Sequence, residues 1–176
     1  MHIRQAQLED RDRVRHLYLS AFSGVERKAV AGLAANLLAE TTTPATFGLV
    51  AESDGKLAGH VGFSPVLDTK NDDLVGYILA PLAVYPELQK RGIGTQLIQS
   101  GIEQLTSRGA AVVFVYGDPR YYGRFGFDAQ AASQYVPPYQ LQHDFGWQAK
   151  HLTRSANCPS TVMLTCVPSL MDPQLW

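Results

Sequence analysis

Leu82-Ala83-Val84-Tyr85-Pro86-Glu87-Leu88-Gln89-Lys90-Arg91-Gly92-Ile93-Gly94-Thr95 carries the most structural information in the chain. An apolar run stops at Pro86, passes through a polar loop with two glycines and opens onto a helical pattern. Ile93, Leu97, Ile98, Ile102 and Leu105 share one face of that helix, and Gly109 lies near its end. The first amides of a helix have no intrahelical acceptors, and the helix dipole favours negative charge there. Gly92 and Gly94, lacking a Cβ, admit a diphosphate close to the backbone, and Lys90 and Arg91 add positive charge. Two nucleotide motifs with the same logic fit poorly. A P-loop needs Gly-Lys-Ser/Thr, whereas Gly94 is followed by Thr95-Gln96; the dinucleotide fingerprint needs a third glycine where Leu97 stands.

On the N-terminal side of this stretch, Ile3 to Ala6 reads as a short strand and Asp10 as the cap of a helix with Val14, Leu17, Tyr18, Ala21 and Phe22 on its buried stripe. A second helical pattern carries Val30, Leu33, Ala34, Leu37 and Leu38 and stops at Thr41-Thr42-Thr43-Pro44. Phe47 to Ala51, Leu57 to Val66 and Leu74 to Val84 read as consecutive strands, the first two joined at Asp54-Gly55. On the C-terminal side, Ala111 to Tyr116 has the apolar texture of a strand covered on both faces. Tyr121 to Arg124 reads as a short helix, and Thr161 to Val167 as one more strand. Strands and helices do not alternate evenly enough for a doubly wound parallel sheet. The expected fold is mixed α/β, with a central, partly antiparallel sheet flanked by helices.

The 176 residues suit one domain, 1–176. A composition of 45% hydrophobic and 18% charged residues is that of a globular protein. A net charge of -1 gives no reason to expect a nucleic-acid or membrane-surface partner. The opening MHIRQAQLEDRDRVR lacks the apolar core of a signal peptide, and no apolar run is long enough to cross a bilayer. Cys158 and Cys166 have no metal-ligand spacing around them. The expectation is a cytoplasmic protein with free thiols and no metal.

With its flanking strand and helix, the motif Gln89-x-x-Gly92-x-Gly94 resembles the coenzyme A signature of the Gcn5-related N-acetyltransferase (GNAT) family, and LAVYPELQKRGIGTQLI is similar to the family's run throughout. The resemblance covers residues 1–127 in element order; 128–176 match weakly. It implies acetyl-coenzyme A as acyl donor, with its pyrophosphate on the amides from Lys90 through Arg91, Gly92, Ile93 and Gly94 to Thr95. It also implies a pantetheine arm paired with the strand edge Leu82, Ala83 and Val84.

A second cluster, Gly117-Asp118-Pro119-Arg120-Tyr121-Tyr122-Gly123-Arg124-Phe125-Gly126-Phe127, is similar to the family's Tyr-x-x-x-Gly-Phe motif at Tyr122, Gly126 and Phe127. The resemblance makes Tyr122 the acid that protonates the departing thiolate, while Tyr121 reads as a core aromatic. A backbone N–H on the preceding strand, assigned to Val84, would support the developing oxyanion. Gly117-Asp118-Pro119 stands where many members of the family carry an asparagine that helps hold the cofactor, a departure that puts contacts from this segment in question.

An ammonium must lose a proton before it attacks, and the candidates for base are Glu26, His60 and Asp118. Each has a plain structural role as well: a helix N-terminal charge, a strand residue and a turn former. Tyr135-Val136-Pro137-Pro138-Tyr139 and Phe145-Gly146-Trp147 either line an acceptor pocket or cap the core. The acceptor itself, an amine of a small molecule or a peptide, is not written in these residues, and neither is the choice between monomer and homodimer. A coenzyme A sensor without chemistry is the alternative of a different class.

Overall fold

The computed structural model describes residues 1–153 and 160–176; Cys158, expected as a free thiol, lies outside them. The chain runs β1 (His2–Gln5), α1 (Arg11–Ala21), α2 (Arg27–Ala39), β2 (Phe47–Ser53), β3 (Lys56–Asp68), β4 (Leu74–Val84), α3 (Ile93–Ser107), β5 (Val112–Tyr116), α4 (Pro119–Tyr122), β6 (Tyr135–Val136), β7 (Trp147–His151) and β8 (Val162–Cys166). The main sheet has the order β1-β2-β3-β4-β5-β7. Its neighbours are antiparallel except β4 and β5, which are parallel and joined through α3. β8 adds to the far end of β3, at Val66 to Asp68, and pairs in turn with β6. The mixed α/β fold with a partly antiparallel sheet expected from the sequence is observed, and most of its strand pairings are antiparallel.

Period-two alternation along the strands sends side chains to two layers. Phe47, Leu49, Val61, Phe63, Leu79, Val113 and Val115 meet the stripe of α3 formed by Ile93, Leu97, Ile98 and Leu105. Phe63 approaches α3 so closely that a Cβ on Gly101 would fall inside its ring, which explains a glycine in mid-helix despite its conformational cost. On the opposite face, Val50, Leu57 and Ala83 pack on Val14, Leu17, Tyr18, Ala31 and Ala34 of α1 and α2. Farther along that face, Ile78, Phe114 and Trp147 pack with Leu33, Leu37 and the C-terminal residues Leu170 and Trp176.

Asp10 differs from its expected role. Its carboxylate accepts from Arg4 at 2.7 and 2.9 Å, from the Gln7 amide at 2.9 Å and from Arg13 at 3.3 Å, and caps no amide of α1. Glu52 joins the cluster through Arg4 at 2.8 Å, so β1, β2 and α1 are tied by one charge network. The guanidinium of Arg4 holds both carboxyls below the usual range. β6 and β7 were not anticipated. In β7, Trp147 and Ala149 face the core, Gln148 is buried by donating to the carbonyls of Gly117 and Gly146, and Lys150 donates to that of Phe125. The polar partners of β7 hide its strand character.

Candidate functional site

The site begins where β4 leaves β5. The two strands pair only at Tyr77–Val113 and Ile78–Phe114, then diverge. Between those pairs and the end of β4 lies a bulge: three steps on β4, Leu79 to Leu82, oppose two on β3, Phe63 to Val61. Beyond the bulge Tyr85 donates to the carbonyl of Ala58 at 3.0 Å. Alternation in an antiparallel ladder then turns the backbone groups of Ala83 toward β3 and those of Leu82 and Val84 away from it, into the gap. The Gln89 side chain takes the outward carbonyl of Val84 at 3.1 Å. That bond ties the loop to the strand, so Gln89 shapes the cradle as well as lining it.

After the turn Pro86–Leu88, the backbone reaches Lys90 at φ 60° and Gly92 at φ 82°, both in the left-handed region, and α3 starts at Ile93. The first amide to close on the helix is that of Gln96, on Gly92 at 3.0 Å. Among the described residues, the amides of Lys90, Arg91, Gly92, Ile93, Gly94 and Thr95 meet no protein acceptor. The two glycines serve different ends. Around the Cβ position of Gly92 nothing lies within 4 Å, and its φ is the requirement; a Cβ on Gly94 would stand 2.6 Å from the Tyr121 hydroxyl.

A cavity of about 950 Å³ runs over this loop. Leu82, Ala83, Val84, Gln89, Lys90, Gly92, Ile93, Gly94 and Thr95 line it, with Tyr121, Arg120 and Arg124 opposite; Arg91 does not. The Arg124 guanidinium lies 4.6 Å over the Tyr121 ring, and its Nε donates to the Tyr121 carbonyl at 3.2 Å. Tyr121 packs against the core, as expected, and is also a wall of this cavity.

A second cavity of about 410 Å³ continues from the first, and the two share Phe22, Leu82 and Asp118. Tyr122 lines the second, facing Leu79 to Leu82 across the gap. Its ring lies against the backbone of Gly117, where a Cβ would overlap it, and meets Phe127 edge-on at 5.9 Å. Burial raises the Tyr122 hydroxyl well above an ordinary phenol, with neighbouring Tyr121 adding to the effect. Tyr122 is thus held protonated. Val84 lines only the first cavity, whereas Leu82 stands at the junction with its N–H in the gap. Of the two outward amides, that of Leu82 is the one at the junction of the cavities, and Tyr122 lines the second of them.

The three candidate bases separate. Glu26 lines the second cavity and also a third, of about 750 Å³, that opens outward past His143 and Phe145. Asp118 lines all three, but its carboxylate caps α4 through the Arg120 amide at 2.9 Å and holds the Arg120 side chain at 3.2 and 3.3 Å. Arg120 keeps its carboxyl below the usual range. His60 is 1% exposed, lies on the α1 side of β3 and lines none of these cavities. Its Nδ1 is 3.0 Å from the Tyr18 hydroxyl, its Nε2 has no partner, and burial drives its pKa down to about 3. Of the aromatic segments, Phe145 reaches the outer cavity, whereas Tyr135 packs edge-on against Phe114 at 4.9 Å in the core. Sequence reasoning missed Leu170, Leu175 and Trp176, which close the second cavity; their signal was two Pro-x-Leu turns before a terminal tryptophan.

Residues 11–127 match the family model described as the acetyltransferase (GNAT) family. The uncharacterized N-acetyltransferase YjhQ of Escherichia coli K12 is 39% identical over 127 residues, 70% of each chain. The chain belongs to the GNAT acetyltransferase family. This GNAT chain is similar to the solved structure of YhbS from Escherichia coli in complex with CoA, with a TM-score of 0.79 and 31% identity over 93% of this chain and 87% of that one. It is also similar to a Brucella melitensis GNAT acetyltransferase in complex with acetyl-CoA, with a TM-score of 0.74 and 29% identity over 96% of both chains. Acetyl transfer is its class of activity. The family match includes the loop and Tyr122 and ends at Phe127, so the C-terminal wall of the second cavity lies outside it.

Proposed function

We propose that this protein transfers the acetyl group of acetyl-coenzyme A to a primary amine by direct attack, as one catalytic domain working in the cytoplasm. The observation that carries the reading is that the two cavities adjoin at Leu82, one over the unpaired amides of the 90–95 loop and the other at Tyr122. The residues present fit the donor. A diphosphate supplies the acceptors that the Lys90 to Thr95 amides lack, and the open space at Gly92 leaves room for it. The outward backbone groups of Leu82 offer an extended arm an antiparallel or parallel partner.

At the junction, the Leu82 N–H stabilises the negative charge that grows on the thioester oxygen as the amine nitrogen bonds to the carbonyl carbon. Glu26 receives one proton of the ammonium, directly or through water, because it is the candidate that lines the second cavity and, among the described residues, has no salt-bridge partner. As the C–S bond breaks, Tyr122 gives its hydroxyl proton to sulfur. The second proton that the nitrogen sheds restores the Tyr122 hydroxyl through solvent, and an amide and a free thiol result. Cys166, whose thiol burial pushes up to about 12, stays protonated and takes no part.

Tyr122→Phe tests the assignment. Thiol release from acetyl-coenzyme A should fall about 10²-fold or more while the calorimetric Kd for acetyl-coenzyme A changes less than about threefold. Unchanged turnover from pH 6 to 9 removes Tyr122 from the mechanism.

A further inference from the structure

The second cavity has an uneven lining. Apolar residues, among them Val30, Leu33, Leu79, Leu170, Leu175 and Trp176, supply part of its wall, and among the described residues the charged side chains that line it are Glu26 and Asp118, both carboxylates. Arg120, which neutralises Asp118, lines the two neighbouring cavities and not this one. Trp176 is fixed in place by its indole N–H, which donates to the Leu170 carbonyl at 2.9 Å, so the closing wall is built and not merely draped.

Resting on the acetyl-transfer reading above, we infer that the acceptor is a small apolar monoamine: one primary ammonium at Glu26 beside Tyr122, and an aliphatic or aromatic body in the slot between α2, β4 and the C-terminal turns. Charge and shape argue the same way. A single cation meets a carboxylate in the same slot that holds Tyr122. A second ammonium, or a carboxylate on the acceptor, would lie among leucines and tryptophan without a partner and lose its hydration. The slot's volume of about 410 Å³ holds an arylalkylamine beside the acetyl group. The reaction balances: N–C forms, C–S breaks, and of the two protons that leave the ammonium nitrogen one passes through Glu26 to solvent while the other makes good the proton that Tyr122 gives to sulfur.

The test is a panel assayed by thiol release, with acetyl-coenzyme A binding measured separately by calorimetry. The expected order places 2-phenylethylamine and hexylamine at least about tenfold above putrescine, spermidine and phenylalanine in kcat/KM. In the series from propylamine to hexylamine, kcat/KM should rise about fourfold per methylene until the slot is full. Val30 is only half buried, so Val30→Glu should fold, as its thermal midpoint verifies. It should raise the putrescine-to-hexylamine ratio about tenfold with an unchanged Kd for acetyl-coenzyme A; a purely structural effect would lower both amines alike. Preference for polyamines, for amino acids or for a peptide N-terminus, or a flat ratio in Val30→Glu, would overturn the inference and leave acetyl transfer standing, whereas donor binding with no acetylation of any amine tested would overturn the underlying reading with it. Failure to bind acetyl-coenzyme A at all would likewise sink the underlying reading.

Discussion

Gly117→Ala isolates the placement of Tyr122 from everything else in the site. A methyl group at 117 would stand 3.0 Å from Cδ2 and 3.5 Å from Cζ of Tyr122, and closer still to Cε2. The obstacle is a ring, not the tip of a flexible chain, and Tyr121 at 5.0 Å and Phe127 at 5.9 Å restrict where it can go. Gly117 is not in the left-handed region, so alanine meets no backbone penalty there. Overpacking of this kind costs about 1–3 kcal/mol, offset by about 0.4–1 kcal/mol from the stiffer unfolded chain. Net destabilisation should be about 1–2 kcal/mol, a fall of a few degrees in Tm. The ring can relieve the overlap only by moving about 1 Å, and a displacement of that size costs on the order of 10²-fold in rate. In single turnover with enzyme in excess, acetyl transfer should therefore drop about 10²-fold, with acetyl-coenzyme A affinity nearly intact because the 90–95 loop is untouched. Gly123→Ala is the control. A Cβ there meets nothing within 4 Å and φ is negative, so rate and stability should hold. Wild-type single-turnover rate in Gly117→Ala, or an equal loss in Gly123→Ala, refutes the idea that Gly117 sets the position of Tyr122.

Gly92→Ala should lower stability by about 1 kcal/mol through backbone strain alone, since φ is 82° and no atom obstructs the methyl; it should also weaken acetyl-coenzyme A binding, both read by calorimetry. Gln89→Leu removes the bond to the Val84 carbonyl and should loosen acetyl-coenzyme A several-fold, about 0.5–1.5 kcal/mol, with little change in the rate of the bound complex. His60 supplies a pH test of stability. Its folded pKa of about 3 lies below the ordinary 6.5, so between these values the unfolded chain binds the extra proton and stability falls as pH falls. That slope, about 1.4 kcal/mol per pH unit at most, should vanish from denaturation curves of His60→Leu between pH 6 and 4. A slope unchanged in the variant would mean that His60 is not buried and neutral.

The cradle was readable because it is local: strand, proline, two glycines and an amphipathic helix follow one another within 25 residues, and each has a short-range cause. What escaped was settled over longer distances. Leu82 and Val84 share an edge, and only the bulge opposite Val61 to Phe63 places the first at the cavity junction and the second beyond it. β3 is buried on both faces, so no alternation marked His60 as pointing to α1 and away from the gap. Asp10 has the sequence position of a cap, but Arg4 and Arg13 offered its carboxylate stronger partners than helix amides. The wall of the second cavity at Leu170, Leu175 and Trp176 depended on how the C-terminal turns fold back on α2, which no periodicity encodes.

Amide chemical shifts measured while coenzyme A is added to the isotopically labelled protein bear most directly on the central proposition. If the N–H groups before and within the first turn of α3 receive the diphosphate, the resonances from Lys90 to Thr95 will move farthest and move downfield. Should those six stay still while shifts elsewhere report saturable binding, the nucleotide sits in another place and the account of the site is wrong.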